Sequence, residues 1–322
     1  MKHNKFLLEE IFKFDNTINL QRLRSFSPFA AFSYFKYFFS LLKTIRRQKF
    51  DIVITTVEAC LPDQYLLTYL SNAQQRIGPK YWRGTKNIYR FALTNQVTTS
   101  FEEHIINFHF DIVRSLNSNF DVDHYLNKTK EALIKSAEPS NIKLVTNKLL
   151  IVLPGSGSQP YKRWPFKNYL DVINNALENY NCDIAVISGH GEYDSRIITD
   201  KIMNNPRFHN LSDSLNLRQV IDLFLNANLI IANDNGLLHL AEFLDKPTIG
   251  LYPGNWTHVS KRYFDNDAKH IVLPKNQKDF LSEKLMKNIR RGKKVQELCA
   301  KVINSITVWD VINEINNSAL LN

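Results

Sequence analysis

The stretch LLIVLPGSGSQPYKRWP, Leu149–Pro165, decides the fold. Its five leading apolar residues form the kind of short run that is buried on both faces of a parallel sheet. They pass directly into Pro154-Gly155-Ser156-Gly157-Ser158, and a helical stretch follows from about Pro165 to Asn179. Proline suits a first helical turn, where its missing N–H has no partner to lose. The segment is a βα unit.

Downstream, the same alternation repeats. Asp183–Ser188 is a second apolar run, ending in Gly189-His190-Gly191 and a predicted helix from about Glu192 to Met203. A further helix is predicted over about Leu217–Ala227, then a strand at Leu229–Ala232, a helix at Gly236–Leu244 and a strand at Thr248–Tyr252. Strand, loop and helix in this rhythm predict an α/β fold with a doubly wound parallel sheet.

Upstream, one strand is clear, Asp51–Val57 (DIVITTV), followed by a predicted helix at about Pro62–Leu70. The aromatic run PFAAFSYFKYFFSLL, Pro28–Leu42, has helical periodicity and leads into Lys43, Arg46, Arg47 and Lys49. It has two readings, a core-facing helix or an interfacial surface with its rings among lipid headgroups and its cations facing anionic lipid. Polar Ser136–Lys148 separates the halves, giving domains 1–145 and 146–322. The last segment, Glu297–Asn317, is predicted helical and is a candidate to pack back on the first domain.

The chain's 322 residues are enough for about two domains. Hydrophobic residues at 44% and charged residues at 22% exclude a disordered chain. Cys60, Cys182 and Cys299 lie far apart without C-x-x-C spacing, which fits a reducing compartment and argues against structural zinc. The net charge of +10 favours an anionic partner: nucleic acid, a phosphorylated substrate or an acidic membrane face. The opening MKHNKFLLEE gains acids too early for a secretory signal, and no apolar run reaches the ~18–20 residues of a bilayer span. A cytoplasmic location is expected.

Ligands of open α/β sheets bind beyond the carboxyl ends of the strands. Three loops there carry notable residues. In the first, Gly155 and Gly157 allow close backbone approach, Ser156 and Ser158 offer hydroxyls, and Lys162 and Arg163 add charge, as a phosphate site requires. An ordinary βα turn with solvated cations is the plainer reading, and the P-loop pattern is absent. In the second, Asn233–His239 (NDNGLLH), Asp234 ends a strand and Asn235-Gly236 opens a helix whose N–H groups suit an anion; His239 follows one turn later. In the third, Glu192 opens a helix, where it is either a first-turn acid or a partner for a ribose hydroxyl. Asp265-Asn266-Asp267 has D-x-D form but lies in a polar loop, and no metal site is expected. No nucleic-acid signature accompanies the cations, so no nucleic-acid partner is expected.

Taken in order, PGSGSQPYKRWP, SGHGE, NDNGLLHLA and KPTIGLY resemble glycosyltransferase family 9, which includes the ADP-heptose:lipopolysaccharide heptosyltransferases. The resemblance covers about Leu149–Gly254, with weaker echoes in Phe50–Gly78. It implies a GT-B fold, two Rossmann-like domains facing across a cleft, the first one shortened here. Carried over, it implies that Lys162 contacts a donor diphosphate, that Ser156 and Ser158 share its loop, and that Glu192 meets the ribose. Asp234, Asn235, Gly236 and His239 would line the diphosphate and sugar end. The implied reaction is an inverting transfer, most simply of heptose from ADP-heptose, to a phosphorylated lipopolysaccharide or lipooligosaccharide core acceptor. No further cofactor is implied, and the acceptor suggests peripheral contact with the inner membrane's cytoplasmic face.

The sequence departs from the family in two places. Asn235 stands where Ser or Thr is usual. The opening strand and Gly-Asp loop that normally supply the base are also absent, since Phe6–Asp15 already resembles a segment inside the first domain. The chain is then truncated, or has lost the base, or uses another acid; Glu58 and Asp63, after the one clear N-terminal strand, are the candidates. A non-catalytic member that binds nucleotide-sugar or glycolipid and assists another transferase is the alternative.

Overall fold

The computed structural model describes residues 28–56, 62–82, 85–98, 105–157, 159–189, 191, 198–253, 269–273 and 293–321. They form two compact units, with the division in the described chain between Asp123 and His124.

The N-terminal unit opens on α1 (Pro28–Gln48), then β1 (Ile52–Ile54), α2 (Pro62–Leu70) and β2 (Gln75–Pro79). A small antiparallel hairpin of β3 (Tyr81–Trp82) and β4 (Thr85–Lys86) precedes β5 (Asn95–Val97) and α3 (Ile105–Leu116). Strands β1, β2 and β5 form a parallel sheet in that order. Phe38, Leu41 and Leu42 of α1 bury one helical stripe against Leu67 of α2. The core reading of the aromatic run therefore holds for that stripe; the opposite face leaves Phe32, Phe35 and Phe39 exposed.

The second unit contains all but the first two residues of α4 (Val122–Lys135), then β6 (Leu149–Leu153), α5 (Phe166–Asn179), β7 (Asp183–Val186), α6 (Asp200–Met203) and β8 (Phe208–Asn210). It continues with α7 (Leu217–Asn226), β9 (Leu229–Asn233), α8 (Gly236–Phe243), β10 (Thr248–Leu251) and β11 (His270–Leu273). Two terminal helices follow, α9 (Lys293–Ser305) and α10 (Val308–Ser318). The six strands are ordered β11-β10-β9-β6-β7-β8, and every neighbouring pair is parallel. All five residues of β6 and of β9 are buried, as strands covered on both faces must be.

The polar segment before β6 is fastened to this unit. Ser140 N–H donates to Asp222, while Val145 and Thr146 N–H donate to Asp183, which also meets His209 at 2.7 Å. Burial works to raise the Asp183 carboxyl, but these bonds outweigh it and hold the group below its usual range. The anchoring explains why the division falls ahead of this segment and not inside it.

The C-terminal segment is two helices, broken at Ile306-Thr307, where Thr307 and Asp310 form a reciprocal capping box. Where the sequence suggested packing on the first domain, the structure seats the segment on the second unit's own core. Ile303, Ile306, Val311 and Ile315 join the cluster containing Leu150 and Ile173. Trp164 Nε1 donates to Ile306 O at 2.8 Å, and Tyr180 donates to Asn316. No helix among the described residues is long and apolar enough to cross a membrane.

Candidate functional site

In the second sheet the strand order reverses between the parallel neighbours β6 and β9: the chain runs from β6 to β7 and β8 on one side, then from β9 to β10 and β11 on the other. The loops leaving those two strands lie at this switch point, where open α/β sheets bind their ligands. They are the loop from Pro154 and the Asn233–Asn235 turn into α8.

Two asparagines join the loops. Fully buried Asn233 donates from Nδ2 to Pro154 O at 2.6 Å and accepts from Trp164 N–H at 3.0 Å. Asn235 Nδ2 donates to Gly155 O at 2.8 Å. The first loop turns on Gly157, whose φ of +59° lies in the left-handed region that favours glycine. Ser156 Oγ donates to Gln159 O and accepts from Arg163 Nε, and Arg163 Nη2 reaches Gly157 O. The serine hydroxyl and the arginine thus brace the loop from inside, a role the residue types alone did not reveal.

The brace presents Lys162 to Asp234. Lys162 Nζ lies 2.7 Å from Asp234 Oδ2, and His239 Nε2 lies 3.4 Å from Oδ1 of the same carboxylate. His239 Nδ1 lies 3.3 Å from Glu242, which also accepts from Tyr252 OH at 3.4 Å. With a carboxylate at each ring nitrogen, His239 is set up as an imidazolium. Burial pulls it down, but the bonds to Asp234 and Glu242 push it up to about 9. Burial likewise works to raise Asp234, but His239 and then Lys162 hold its carboxyl below the usual range.

Exposure gives the cluster a direction. The carboxylate side chains of Asp234 and Glu242 are 7% and 11% exposed, whereas Lys162 is 18% and His239 40% exposed. Acids lie beneath and cations reach outward, the polarity an anionic ligand requires. Asn235 caps α8, its Oδ1 accepting from Leu237 and Leu238 N–H at 2.9 Å each. Two amides expected to face an anion are therefore satisfied by the chain itself, which leaves the two side-chain cations as the outward-facing positive groups. The cap also shows how Asn serves in place of Ser or Thr. At Gly236 an added Cβ would meet nothing within 4 Å, so the turn faces open space.

The structure thus brings together Lys162, Asp234, Asn235, Gly236 and His239, with Ser156 as a strut of the adjoining loop. Ser158, Glu192, Glu58 and the Asp265–Asp267 triplet lie outside the described residues. Asp63, in the first turn of α2, accepts from Tyr34 OH and from Gln64 N–H. Burial, and then the Asp63 contact, raise Tyr34 to about 12, which keeps its proton on the phenol. Among the described residues, no cluster of three or more His, Cys, Asp or Glu has the arrangement to hold a metal ion. Asn233, Glu242 and Tyr252 were not singled out by sequence; NDN and GLY were visible as patterns, but their bonding was not.

A parallel sheet in this strand order, with a second parallel α/β unit in the chain, places the protein in the GT-B fold class. More narrowly, the chain belongs to glycosyltransferase family 9 (heptosyltransferase), whose model matches residues 38–290. A Haemophilus influenzae protein provisionally named a glycosyltransferase is 24% identical over 252 residues, covering 72% of this chain and 69% of that one. Lipopolysaccharide heptosyltransferase 2 of Salmonella typhimurium is 29% identical over 121 residues, covering 37% of this chain and about a third (35%) of its own length. The E. coli heptosyltransferase WaaC, solved with ADP-2-deoxy-2-fluoro heptose, shares the fold at a TM-score of 0.59 and 14% identity, over 91% of this chain and 79% of that one.

Proposed function

We propose that the chain is an inverting sugar transferase that uses a nucleoside-diphosphate donor, ADP-heptose foremost, and a lipopolysaccharide or lipooligosaccharide core acceptor. The observation that carries this reading is the Lys162–Asp234–His239 cluster at the switch point of a family 9 chain. The acceptor hydroxyl oxygen bonds to the donor's anomeric carbon as the bond to the diphosphate oxygen breaks, and a carboxylate takes the hydroxyl proton. Lys162 and His239 stabilise the charge gathering on the departing diphosphate, so this reading asks for no metal. The heptosyltransferase names of the relatives, and the ADP-sugar held by the E. coli neighbour, support the choice of donor.

The test is release of nucleoside diphosphate from ADP-heptose, UDP-sugars and GDP-sugars in the presence of core glycolipid extracts. ADP release that depends on both ADP-heptose and extract is expected. Release from UDP- or GDP-sugars alone would overturn the donor. One observation favours the alternative of a non-catalytic binding protein: the Asp63 carboxylate is already engaged by Tyr34 and its own helix. Calorimetric donor binding with no transfer to any acceptor would establish that alternative.

A further inference from the structure

Helix α1 is amphipathic in an unusual sense, because both of its faces carry aromatic rings. At 100° per residue, Phe32, Phe35, Lys36, Phe39, Lys43, Arg46 and Arg47 fall within one arc of about 120°. That arc adjoins the buried stripe of Phe38, Leu41 and Leu42, with its centre turned about 130° from the stripe's. Phe32, Phe35 and Phe39 are 69%, 59% and 61% exposed, and the four cations beside them are also exposed. The helix contains no aspartate or glutamate. Rings occupy its N-terminal half and cations mainly its C-terminal half. There a shallow groove of about 580 Å³ is lined by Phe39, Leu42, Lys43, Arg46, Arg47 and Lys49.

We propose that this face of α1 docks on the surface of an anionic lipid bilayer, with the three phenylalanines in the headgroup–acyl boundary and the cations against lipid phosphates. Three large rings standing out on a convex helix need an apolar phase, and a neighbouring acid-free row of cations needs negative charge; an anionic bilayer surface offers both within one helix diameter. The cations alone would suit any polyanion. It is the rings that select lipid, since two of the three are turned edge-on to a neighbour (Phe39 at 89° to Phe38, Phe35 at 71° to Tyr34) and not laid out as a stacking platform for bases. The surface lies in the N-terminal unit and does not depend on the donor reading.

The experiment is co-sedimentation of the full chain with vesicles of phosphatidylcholine containing about 30 mol % phosphatidylglycerol, against phosphatidylcholine alone. Binding to the anionic vesicles that weakens with salt is expected. Lys36→Gln, Lys43→Gln and Arg47→Gln together should weaken it by about 100-fold. Phe32→Ser, Phe35→Ser and Phe39→Ser together should abolish the remaining adhesion. Arg46 is left in place because its Nε donates to Leu70 O at 2.8 Å and ties α1 to α2. All six substituted side chains are exposed, so both variants should keep the parent melting temperature and ADP affinity. Absence of wild-type binding, wild-type binding by the phenylalanine variant, or displacement of the vesicles by poly(U) RNA would each overturn the proposal.

Discussion

Replacing Glu242 by Gln removes a charge from beneath His239 while keeping the shape of the side chain. In the parent, two carboxylates lift the imidazole from 6.5 to about 9 against the pull of burial. The Gln carbonyl still accepts the Nδ1 proton but no longer attracts the positive charge, so the His239 pKa should fall by about one pH unit. At about pH 8.5 the protonated fraction then drops from about three-quarters to about one-quarter. Two readouts follow: the ring carbon shifts of His239 across a pH titration, and ADP affinity across the same range. Affinity should fall through about pH 9 in the parent and about one unit earlier in Glu242→Gln. Stability has the same sign. Because the folded pKa is raised, the His239 contribution is complete below the unfolded value near 6.5 and is lost as pH rises through about 9. With the side chain 40% exposed, solvent screening limits that contribution to on the order of 1 kcal/mol. An alkaline midpoint identical in parent and variant would refute the argument that Glu242 holds the imidazolium.

Three other substitutions probe the supports of the site. A Cβ at Gly250 would lie 2.6 Å from Cε2 of Tyr252 and 3.1 Å from Leu238 Cδ2, so Gly250→Ala must displace the ring whose hydroxyl holds Glu242; about 1–3 kcal/mol is expected by denaturant unfolding, together with weaker ADP binding. Asn235→Ala removes the cap of α8 and the bond to Gly155 and should cost about 1 kcal/mol, with Asn235→Ser recovering much of it in the same unfolding series. Asp234 is depressed, so its contribution is present above the ordinary carboxylate range near 4 and is lost as pH falls through its lower folded value. Asp234→Asn should flatten that part of the acid limb in thermal melts from about pH 5 to about pH 2.

The second unit was legible because its strands are buried on both faces, which leaves uninterrupted apolar runs such as LLIVL and LIIA with glycine or asparagine at their ends. In the N-terminal unit only α1, β1 and α2 were legible. Strand β2 (QRIGP) and strand β5 (NQV) are polar at their exposed ends and carry too little periodicity to separate from loop. Strand β8 is likewise a three-residue edge strand with one buried residue, Phe208. Helix α1 extends past the aromatic run because Lys43, Arg46, Arg47 and Gln48 are good helix formers. In the site, Lys162, Asp234 and His239 were visible as residue types at strand ends. The assignments that changed concern groups whose partners are far apart in sequence: Arg163 turned inward to Ser156, and Asn235 closing on the amides expected to be open. Sequence spacing cannot report which of two competing partners a donor takes.

In the proposed function the second unit cradles a diphosphate through Lys162 and His239. The decisive measurement is calorimetric titration of ADP into the full chain and into Lys162→Met, with a thermal melt of each. Binding by the parent is expected, with a loss of about 100-fold or more in the variant and only a few degrees of lost melting temperature, because Asp234 keeps its contact with His239. Equal ADP affinity in the two proteins, or no ADP binding by the folded parent, would contradict it.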